Sequence, residues 1–309
     1  MSNSDFDLLV LGDLNVDIIL SGMASLPRPG TEETATGLDF RSGGSAANCA
    51  RAAAKLGARV AFIGLVGSDD FGEFVLDGMT AGGVNMDYVR RAAGVKTGVT
   101  VSLSMAHERA FATYLGSVGE FALEHVDFSA FDRARHLHVG GYFLQRRLRG
   151  SHREIFQRAR ESRLTTSFDV GWDPEQRWNG DLPGLLEIVD IALPNETEVL
   201  HLTGEEHLGT AVARLAEKVP TLAVKLGADG ALGRQGNFEA RASAYPVQVL
   251  DTTALGDCFN AGFLVAHLEG RPLEHCLRLG NAAAAIAASR MGDERYATRE
   301  EVERLMAGA

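Results

Sequence analysis

The sequence predicts an α/β fold in which a mainly parallel sheet carries helices on both faces. Strand-like apolar runs alternate with helix-like patterns through most of the 309 residues, and this alternation is typical of βαβ units. The 35 glycines outnumber the 8 prolines, which suits many tight turns between strands and helices. A hydrophobic content of 45% is enough to fill the core of such a sheet.

The strands of the core are predicted from six apolar runs: 6–11, 60–66, 136–139, 165–168, 188–193 and 221–225. Helix-like patterns lie between them at 46–56, 71–81, 151–162, 199–202 and 211–218. The C-terminal third is predicted to be helical over 258–269, 273–289 and 298–306. Because no internal repeat or low-complexity linker interrupts the chain, we predict a single domain over 1–309.

Two regions break this alternation and are predicted to form a small β lid. Segment 15–41 contains the turn Pro27-Arg28-Pro29-Gly30 and then an alternating stretch that ends near Phe40. Segment 96–115 is typical of two short strands joined near Ala106-His107-Glu108-Arg109. Both are expected to be antiparallel additions outside the parallel core, placed where they can cover a site.

Composition argues against several classes of partner. The formal net charge is −11, and the longest basic cluster, within 146–149, is too small for a nucleic-acid footprint. No apolar stretch is long enough to span a membrane, and residues 1–5 lack the basic start of a signal peptide. The three cysteines show neither a C-x-x-C pair nor metal-ligand spacing, which indicates a reducing compartment. We therefore expect a cytoplasmic protein without nucleic-acid or membrane partners.

The most informative segment is Asp251-Thr252-Thr253-Ala254-Leu255-Gly256-Asp257, which runs directly into the helical pattern 258–269. A Gly-containing turn that opens a helix leaves backbone N–H groups unpaired and aligned with the helix dipole, so it can bind an anion. Asp257 would repel that anion unless the site must also draw a proton from a hydroxyl group. The alternative is an aspartate favoured in the first helical turn by the dipole alone.

A second segment, 41–50, combines paired glycines with an Ala-rich helix start. Gly43 and Gly44 allow a ligand to approach the backbone, and Asn48 has both a donor and an acceptor for hydroxyl groups. The alternative is a close helix–sheet contact that needs small residues. Both interpretations remain open at this point.

Polar residues also follow the first strand. Asp13, Asn15 and Asp17 occupy alternate positions and would share one side of an extended segment. Carboxylate and amide groups on one side suit a polyol, whose hydroxyl groups need acceptors. For at least one of the three, we expect instead an ordinary solvated strand end.

Two further motifs follow later strands. Asn195 and Glu198 have the spacing of a helix capping box, the favoured interpretation, but also suit a Mg²⁺–water–phosphate network. Lys225, Gly227 and Gly230 lie in a turn that could meet a nucleotide or simply form a hairpin with a solvated lysine. The G-x-G-x-x-G and P-loop patterns of other nucleotide sites do not occur at the first strand turn or elsewhere.

Four of these motifs occur in one order: Gly43-Gly44 with Asn48, Asn195-x-x-Glu198, Lys225-x-Gly227-x-x-Gly230 and Asp251-Thr252-x-x-x-Gly256-Asp257. This order, over essentially the whole chain, resembles the ribokinase-like (PfkB) carbohydrate kinase family. The longest matching segments are 43–72 and 251–262. The resemblance implies a doubly wound sheet with a β lid, a homodimer formed through that lid, and a kinase that uses ATP and Mg²⁺.

The resemblance also implies roles for residues at the matching positions. Asp257 is the implied catalytic base, and the amides around Leu255, Gly256 and Asp257 are the implied anion hole, in a catalytic turn that includes Ala254. The implied sugar contacts are Asn15, Asp17, Gly43, Gly44 and Asn48. The implied nucleotide contacts are Asn195, Lys225, Gly227, Gly230 and Asn281, with Asn281 beside the adenine. Glu198 is implied to bind Mg²⁺ mostly through water, and Asp251 and Thr253 to bind a monovalent cation.

The chain departs from the family pattern in two places. Ala254-Leu255 replaces a common Gly-Ala pair, which restricts the backbone of the turn and adds bulk beside the anion hole. Oxygens after Arg290-Met291-Gly292 would complete the monovalent-cation site, but 293–296 lacks the small hydroxyl residue that relatives often carry there. The sequence therefore leaves the monovalent cation open.

We expect an ATP-dependent kinase that phosphorylates a primary hydroxyl group of a small sugar or polyol: a ketose, sugar acid, pentose or inositol. Gly140-Gly141 stands where ribose kinases of the family tend to carry an acidic residue, so plain ribose is not favoured. A nucleoside kinase is the alternative if Tyr142 or Phe143 stacks on a base, although core packing is the favoured role of both rings. A catalytically silent sugar or nucleotide sensor is the alternative from another class.

Overall fold

The computed structural model describes residues 4–105 and 109–308. Its strands are β1 (Leu8–Leu11), β2 (Asn15–Ser21), β3 (Gly37–Gly43), β4 (Val60–Gly67), β5 (Val84–Ala92), β6 (Gly98–Ser104), β7 (Arg109–Tyr114), β8 (His136–Val139), β9 (Thr165–Phe168), β10 (Ile191–Ala192), β11 (Thr221–Lys225), β12 (Ala231–Gln235) and β13 (Phe238–Ala242). Its helices are α1 (Ser45–Lys55), α2 (Asp70–Ala81), α3 (Ser117–Glu120), α4 (His152–Glu161), α5 (Leu182–Leu186), α6 (Glu196–Thr203), α7 (Leu208–Ala216), α8 (Leu255–Leu268), α9 (Leu273–Ala288) and α10 (Arg299–Ala307).

The central sheet has the strand order β13-β12-β11-β10-β9-β8-β1-β4-β5. Neighbouring strands from β11 to β5 are parallel, while the β11–β12 and β12–β13 pairs are antiparallel. Because β1 lies between β4 and β8, the strand order extends outward from β1 in both directions, which makes this position a topological switch point. The predicted doubly wound, mainly parallel sheet is confirmed.

The core consists of two hydrophobic clusters, and β1 contributes to both. Leu8 and Val10 belong to one cluster, whereas Leu9 and Leu11 belong to the other, since successive side chains of a strand point to opposite faces. The first cluster contains apolar residues of α1, α8 and α9, and the second contains those of α4 and α7. Helices therefore cover both faces of the sheet, as predicted.

A separate four-stranded sheet, called the small sheet below, has the order β3-β2-β6-β7. The β2–β3 and β6–β7 pairs are antiparallel, and β2–β6 is parallel. These strands fall within or next to the two segments predicted as lid, 15–41 and 96–115. The predicted turn near Ala106-His107-Glu108-Arg109 lies largely in residues 106–108, outside the described residues. A single domain with these lid segments stays a prediction.

The predicted elements differ from the structure mainly at their ends. Of the run 188–193 predicted as a strand, only Ile191–Ala192 forms one, β10. The helix predicted over 199–202 is longer, because α6 begins at Glu196. Strand β5 was missed because polar residues interrupt its apolar pattern, as an edge strand allows. Among the described residues, no helix is both long and apolar enough to cross a membrane.

Candidate active site

Polar residues follow the strands of the parallel sheet at one edge. Asp169 comes directly after β9, Lys225 is the last residue of β11, and Asp13 lies just beyond β1. Asn195 precedes α6 and pairs with Lys225 in an isolated parallel bridge. Because the carboxyl ends of parallel strands share an edge, the fold gathers these side chains at that edge, which is called the crevice below because doubly wound sheets bind their ligands there.

Asp13 holds the first residues of α1. Its Oδ2 accepts a hydrogen bond from the Ser45 amide at 2.8 Å, and its Oδ1 accepts one from the Ala46 amide at 2.9 Å. The carboxylate thus satisfies two of the amides that a helix start leaves unpaired. Gly44 precedes them with a φ of 106°, and a Cβ there would lie 2.5 Å from the carbonyl oxygen of Asp13. Only glycine meets both conditions without strain.

Asn15 and Asp17 lie together on β2. Nδ2 of Asn15 donates a 2.8 Å hydrogen bond to Oδ1 of Asp17. The Asp17 carboxylate lies over Gly43 of the neighbouring strand, where a Cβ would overlap it. Burial raises the pKa of Asp17 to about 6. Asp13 does not belong to this pair as the alternation predicted, because β2 begins only at Asn15.

Asp257 lies in the first turn of α8 and faces α1. Its Oδ1 accepts a hydrogen bond from the Ser45 hydroxyl at 2.7 Å, and its Oδ2 accepts one from Nδ2 of Asn48 at 3.0 Å. Burial, reinforced by the negative charge of Asp169, raises the pKa of Asp257 to about 7 against the two hydrogen bonds. A carboxylate with a pKa near neutrality can both accept and release a proton at physiological pH.

Asn48 is oriented from its other side by the C-terminal part of the chain. The Tyr296 hydroxyl donates a 2.8 Å hydrogen bond to Oδ1 of Asn48. The Arg51 guanidinium lies 4.7 Å from the centre of the Tyr296 ring and forms a 2.6 Å ion pair with Asp293. The amide of Asn48 is therefore held with its donor toward Asp257.

The start of α8 has the form of an anion site. Ala254 precedes the helix with a left-handed φ of 62° and no side-chain cap, and the Cys258 amide makes the first helical bond, to the Ala254 carbonyl at 2.9 Å. The amides of Leu255, Gly256 and Asp257 come before that bond, at the positive end of a 14-residue helix dipole. The sequence predicted an anion hole at this turn, and that role stays a prediction.

Lys225 lies beneath this helix start rather than in solvent. Its Nζ is 2.7 Å from Oδ2 of Asp169 and 3.2 Å from Oδ1 of Asn260. A Cβ built on Gly256 would be 3.5 Å from the same Nζ. The lysine charge lowers the pKa of Asp169, although burial opposes this. The alternative of a solvated lysine is wrong, because the parallel sheet ends this strand inside the crevice.

Asn195 and Glu198 form the predicted capping box. Oε2 and Oε1 of Glu198 accept hydrogen bonds from the Asn195 backbone amide at 2.9 Å and from its Nδ2 at 2.8 Å, and the Glu198 amide donates to Oδ1 of Asn195 at 2.9 Å. Glu198 is only 4% exposed. Burial, with a further contribution from Asp169, raises its pKa to about 7.

Gly230 and Asn281 both lie against segment 242–244, at the end of β13. A Cβ on Gly230, whose φ is 90°, would lie 2.7 Å from the Ala244 amide nitrogen. Nδ2 of Asn281 donates to the carbonyl oxygens of Ala242 and Ser243 at 2.9 and 3.1 Å. These two predicted nucleotide residues therefore lie near one segment, whereas Lys225 lies at the start of α8.

The Arg295 guanidinium binds the oxygens of Asp251 and Thr253 that were predicted to bind a monovalent cation. Its Nη2 is 2.7 Å from Oδ2 of Asp251, and its Nη1 donates to the carbonyl oxygen of Thr253 at 2.7 Å. The Arg295 side chain is buried. A residue that the sequence interpretation did not include thus reaches both members of the predicted cation site.

Comparison with known proteins decides the family. The family model described as "pfkB family carbohydrate kinase" matches residues 5–298 of the chain. The chain belongs to the PfkB family of carbohydrate kinases. This PfkB kinase is 31% identical over 305 residues to the ribokinase of Haemophilus influenzae, covering 95% of this chain and 96% of that protein.

Solved structures of two kinases match nearly the whole chain. The structure of Arabidopsis thaliana ribokinase complexed with ribose and ATP matches with a TM-score of 0.83 and 28% identity, covering 97% of this chain and 98% of that one. Adenosine kinase from Sinorhizobium meliloti matches with a TM-score of 0.86 and 27% identity, covering 97% and 99%. The predicted family and fold are confirmed, and the protein is an ATP-dependent carbohydrate kinase.

Several residues of the PfkB kinase's crevice were not found from sequence. Asp169 follows the run 165–168 directly, so it carries the same strand-end signal as Lys225. Ser45 and Tyr296 carry no such signal, because their contacts with Asp257 and Asn48 join distant parts of the chain.

Tyr142 and Phe143 are each only 1% exposed, so both rings belong to the core.

Proposed function

We propose that this PfkB kinase transfers the γ-phosphate of ATP to a primary hydroxyl group of a small sugar or polyol, with Asp257 as the general base. One observation carries the proposal. The Asp257 carboxylate, whose pKa burial raises to about 7, lies beside the unpaired amides that begin α8. A proton acceptor next to an anion site is what hydroxyl attack on a phosphorus atom requires.

In this proposal the sugar binds between α1 and the small sheet. Asn48, Asn15 and Asp17 contact its hydroxyl groups, and the backbone at Gly43 and Gly44 permits close approach. The reacting hydroxyl displaces the donors of Ser45 or Asn48 from Asp257 and gives its proton to the carboxylate as its oxygen attacks. The small sheet would close over the crevice and exclude water.

In the same proposal, backbone amides at the start of α8 and the side chain of Lys225 hold the transferred phosphoryl group. Amides of Leu255 and Gly256 face the developing charge, and the nearby Lys225 adds a positive charge to a protein of net charge −11. Positioning and charge stabilisation supply most of the catalysis in phosphoryl transfer. Gly227, Gly230 and Asn281 are proposed to border the rest of the nucleotide.

Mg²⁺ is proposed to accompany ATP at Glu198 and Asn195. The site fits a cation, because burial and the charge of Asp169 disfavour the ionised form of Glu198 unless a positive charge is added. Within the described residues no cluster of three acidic, histidine or cysteine side chains forms a metal cage. That suits an ion that is held by one carboxylate, water and phosphate oxygens. When bound, the ion neutralises charge on the phosphates.

The substrate is proposed to be a ketose, sugar acid, pentose or inositol rather than a nucleoside. A nucleoside would be favoured by an aromatic ring free to stack on the base. Tyr142 instead packs against Phe143, His152 and Phe168, with ring centres 4.9 to 5.6 Å apart. The polar groups gathered near Asp257 suit a compact, hydroxyl-rich molecule.

A homodimer through the small sheet is proposed from its apolar face. By strand pairing and alternation, one face carries Ile18, Leu20, Leu38, Phe40, Val101 and Leu103. Leu38 and Phe40 are 62% and 44% exposed, and exposed apolar faces of this kind mark association surfaces. Light scattering should show a dimer that Phe40→Asp converts to a monomer, whereas Phe238→Asp, on the edge strand β13, leaves it intact.

The proposed location is the cytoplasm, in line with three buried free cysteines.

ADP release over a panel of ketoses, sugar acids, pentoses, inositols and nucleosides tests the reaction. We expect sugar-dependent turnover with one of the first four groups, and turnover lowered by about 10²–10⁴ in Asp257→Asn. Thermal-shift screening of the same compounds separates a silent sensor, which would be stabilised by a ligand without releasing ADP. Turnover with nucleosides alone would contradict the proposed substrate class.

A further inference from the structure

The guanidinium group of Arg295 joins the loop 251–253 to Gly292 through one carboxylate and two backbone carbonyl groups. Nη2 binds Oδ2 of Asp251 at 2.7 Å, Nη1 donates to the carbonyl oxygen of Thr253 at 2.7 Å, and Nε donates to the carbonyl oxygen of Gly292 at 2.8 Å. The residue is 3% exposed. All three nitrogens of a buried, permanently charged group are therefore used.

The bound segment leads directly into the anion-hole turn. Oδ1 of Asp251 accepts a hydrogen bond from the Thr253 amide at 2.8 Å, and the Leu250 amide donates to the Ala288 carbonyl at 2.7 Å. Ala254 follows Thr253 in the left-handed conformation that starts α8. The position of the α8 amides thus depends on a loop that is folded around the Arg295 charge.

A monovalent cation does not fit the same place. To bind Asp251 and Thr253 it would have to reach the carboxylate oxygen and the carbonyl oxygen that already accept hydrogen bonds from Arg295. It would also face the fixed charge of the guanidinium at short range in a buried site, where like charges repel strongly. The arginine supplies both the charge and the donors that such an ion would supply.

We infer that Arg295 is the resident cation of this loop and a positioning residue for the anion hole, so that the kinase works without K⁺ or Na⁺. The positioning role rests on the proposed function of the α8 amides, whereas the occupancy of the loop by arginine does not. Misplacement of such amides by about 1 Å is expected to cost about a hundredfold in rate.

The first test uses the unaltered protein. Melting temperature and MgATP affinity are measured in KCl, NaCl and tetramethylammonium chloride at equal ionic strength, followed by ADP release with a sugar that the panel identifies. We expect all three readouts to be the same in the three salts. A K⁺-specific rise in melting temperature or MgATP affinity would overturn the inference even if no sugar substrate is found. Failure of the panel alone would count against the proposed function only.

The second test removes the cation. Arg295→Ala should weaken MgATP binding about tenfold or more, and added guanidinium or K⁺ should restore much of that loss together with the melting temperature. Arg290→Ala is the matched control, because Arg290 binds Glu294 and Glu301 within the same C-terminal segment. Equal MgATP affinity in Arg295→Ala and the unaltered protein would overturn the inference.

Arg295→Lys covers the case in which the alanine variant does not fold. It keeps a positive charge but cannot bind three separate oxygens in the planar geometry of a guanidinium. We expect a folded protein with weakened MgATP binding that guanidinium improves. Unchanged affinity in this variant would show that the fork of Arg295 does not position the loop.

Discussion

The hydroxyl group of Ser45 donates a 2.7 Å hydrogen bond to Oδ1 of Asp257, although 212 residues separate the two in sequence. Ser45 is the first residue of α1, and Asp257 lies in the first turn of α8. The bond therefore joins the starts of two helices that lie far apart in the sequence. Four expectations follow from this arrangement and its surroundings.

Asp257→Asn should lower kcat by about 10²–10⁴, because the amide cannot accept the proton of the attacking hydroxyl. KM for the sugar should change little, since the substituted side chain keeps its size and its neighbours. Steady-state measurement of kcat and KM for this variant and for a control variant checks this. Asp132→Asn, at an exposed surface position, is the control and should keep normal turnover. A variant at position 257 with near-normal kcat would remove the general base from the mechanism.

Ser45→Ala should move the pH dependence of catalysis to higher pH. The serine hydrogen bond favours the ionised carboxylate and thus lowers a pKa that burial raises to about 7. Without the bond the pKa of Asp257 should rise further. The acid limb of kcat/KM, which reports the free enzyme, should therefore lie near pH 7 in the unaltered kinase and higher in the variant. An unchanged limb would mean that another group controls it.

Asp257 should also make stability depend on pH. Its pKa is about 7 in the folded protein and 3.8 for an ordinary aspartate, so between these values the folded state holds a proton that the unfolded chain has lost. Stability therefore falls as the pH rises through this window, and the loss is complete above about pH 7. Asp257→Asn should raise the melting temperature at pH 8 more than at pH 4. Equal shifts at the two pH values would contradict a raised pKa.

Ala254→Gly should stabilise the protein. The left-handed φ of 62° costs an alanine about 1–2 kcal/mol, while the added freedom of glycine in the unfolded chain costs about 0.4–1 kcal/mol, so a small net gain is expected. Urea denaturation measures it. Ala284→Gly, inside α9, is the control and should destabilise by about 1 kcal/mol. Destabilisation by both substitutions would show that the turn carries no strain.

The sequence was sufficient to predict the parallel sheet, because its strands are continuous apolar runs and its helices begin with recognisable turns. The same turns made Asp257, Asn48 and Glu198 candidate site residues, since residues at helix starts and strand ends are fixed by local backbone geometry, and their roles stay predictions. The small sheet was also predicted, from the two segments that lacked the βαβ pattern.

Contacts between distant side chains could not be predicted in this way. Arg295 binds Asp251 across 44 residues, and no local pattern marks an arginine as the partner of one particular carboxylate. Lys225 was expected at a nucleotide because of its turn, yet burial beside Asp169 sets its position. Asp13 was misplaced because alternation applies only within a strand, and β2 starts after it.

The hydrogen bond from Tyr296 to Asn48 has a consequence for how the enzyme matures during synthesis. Asn48 is synthesised 248 residues before the tyrosine that holds its side-chain amide. A nascent chain that contains Asp257 but not yet Tyr296 therefore lacks the contact that orients Asn48. We expect Asn48 to take its final orientation only after Tyr296 has docked against α1.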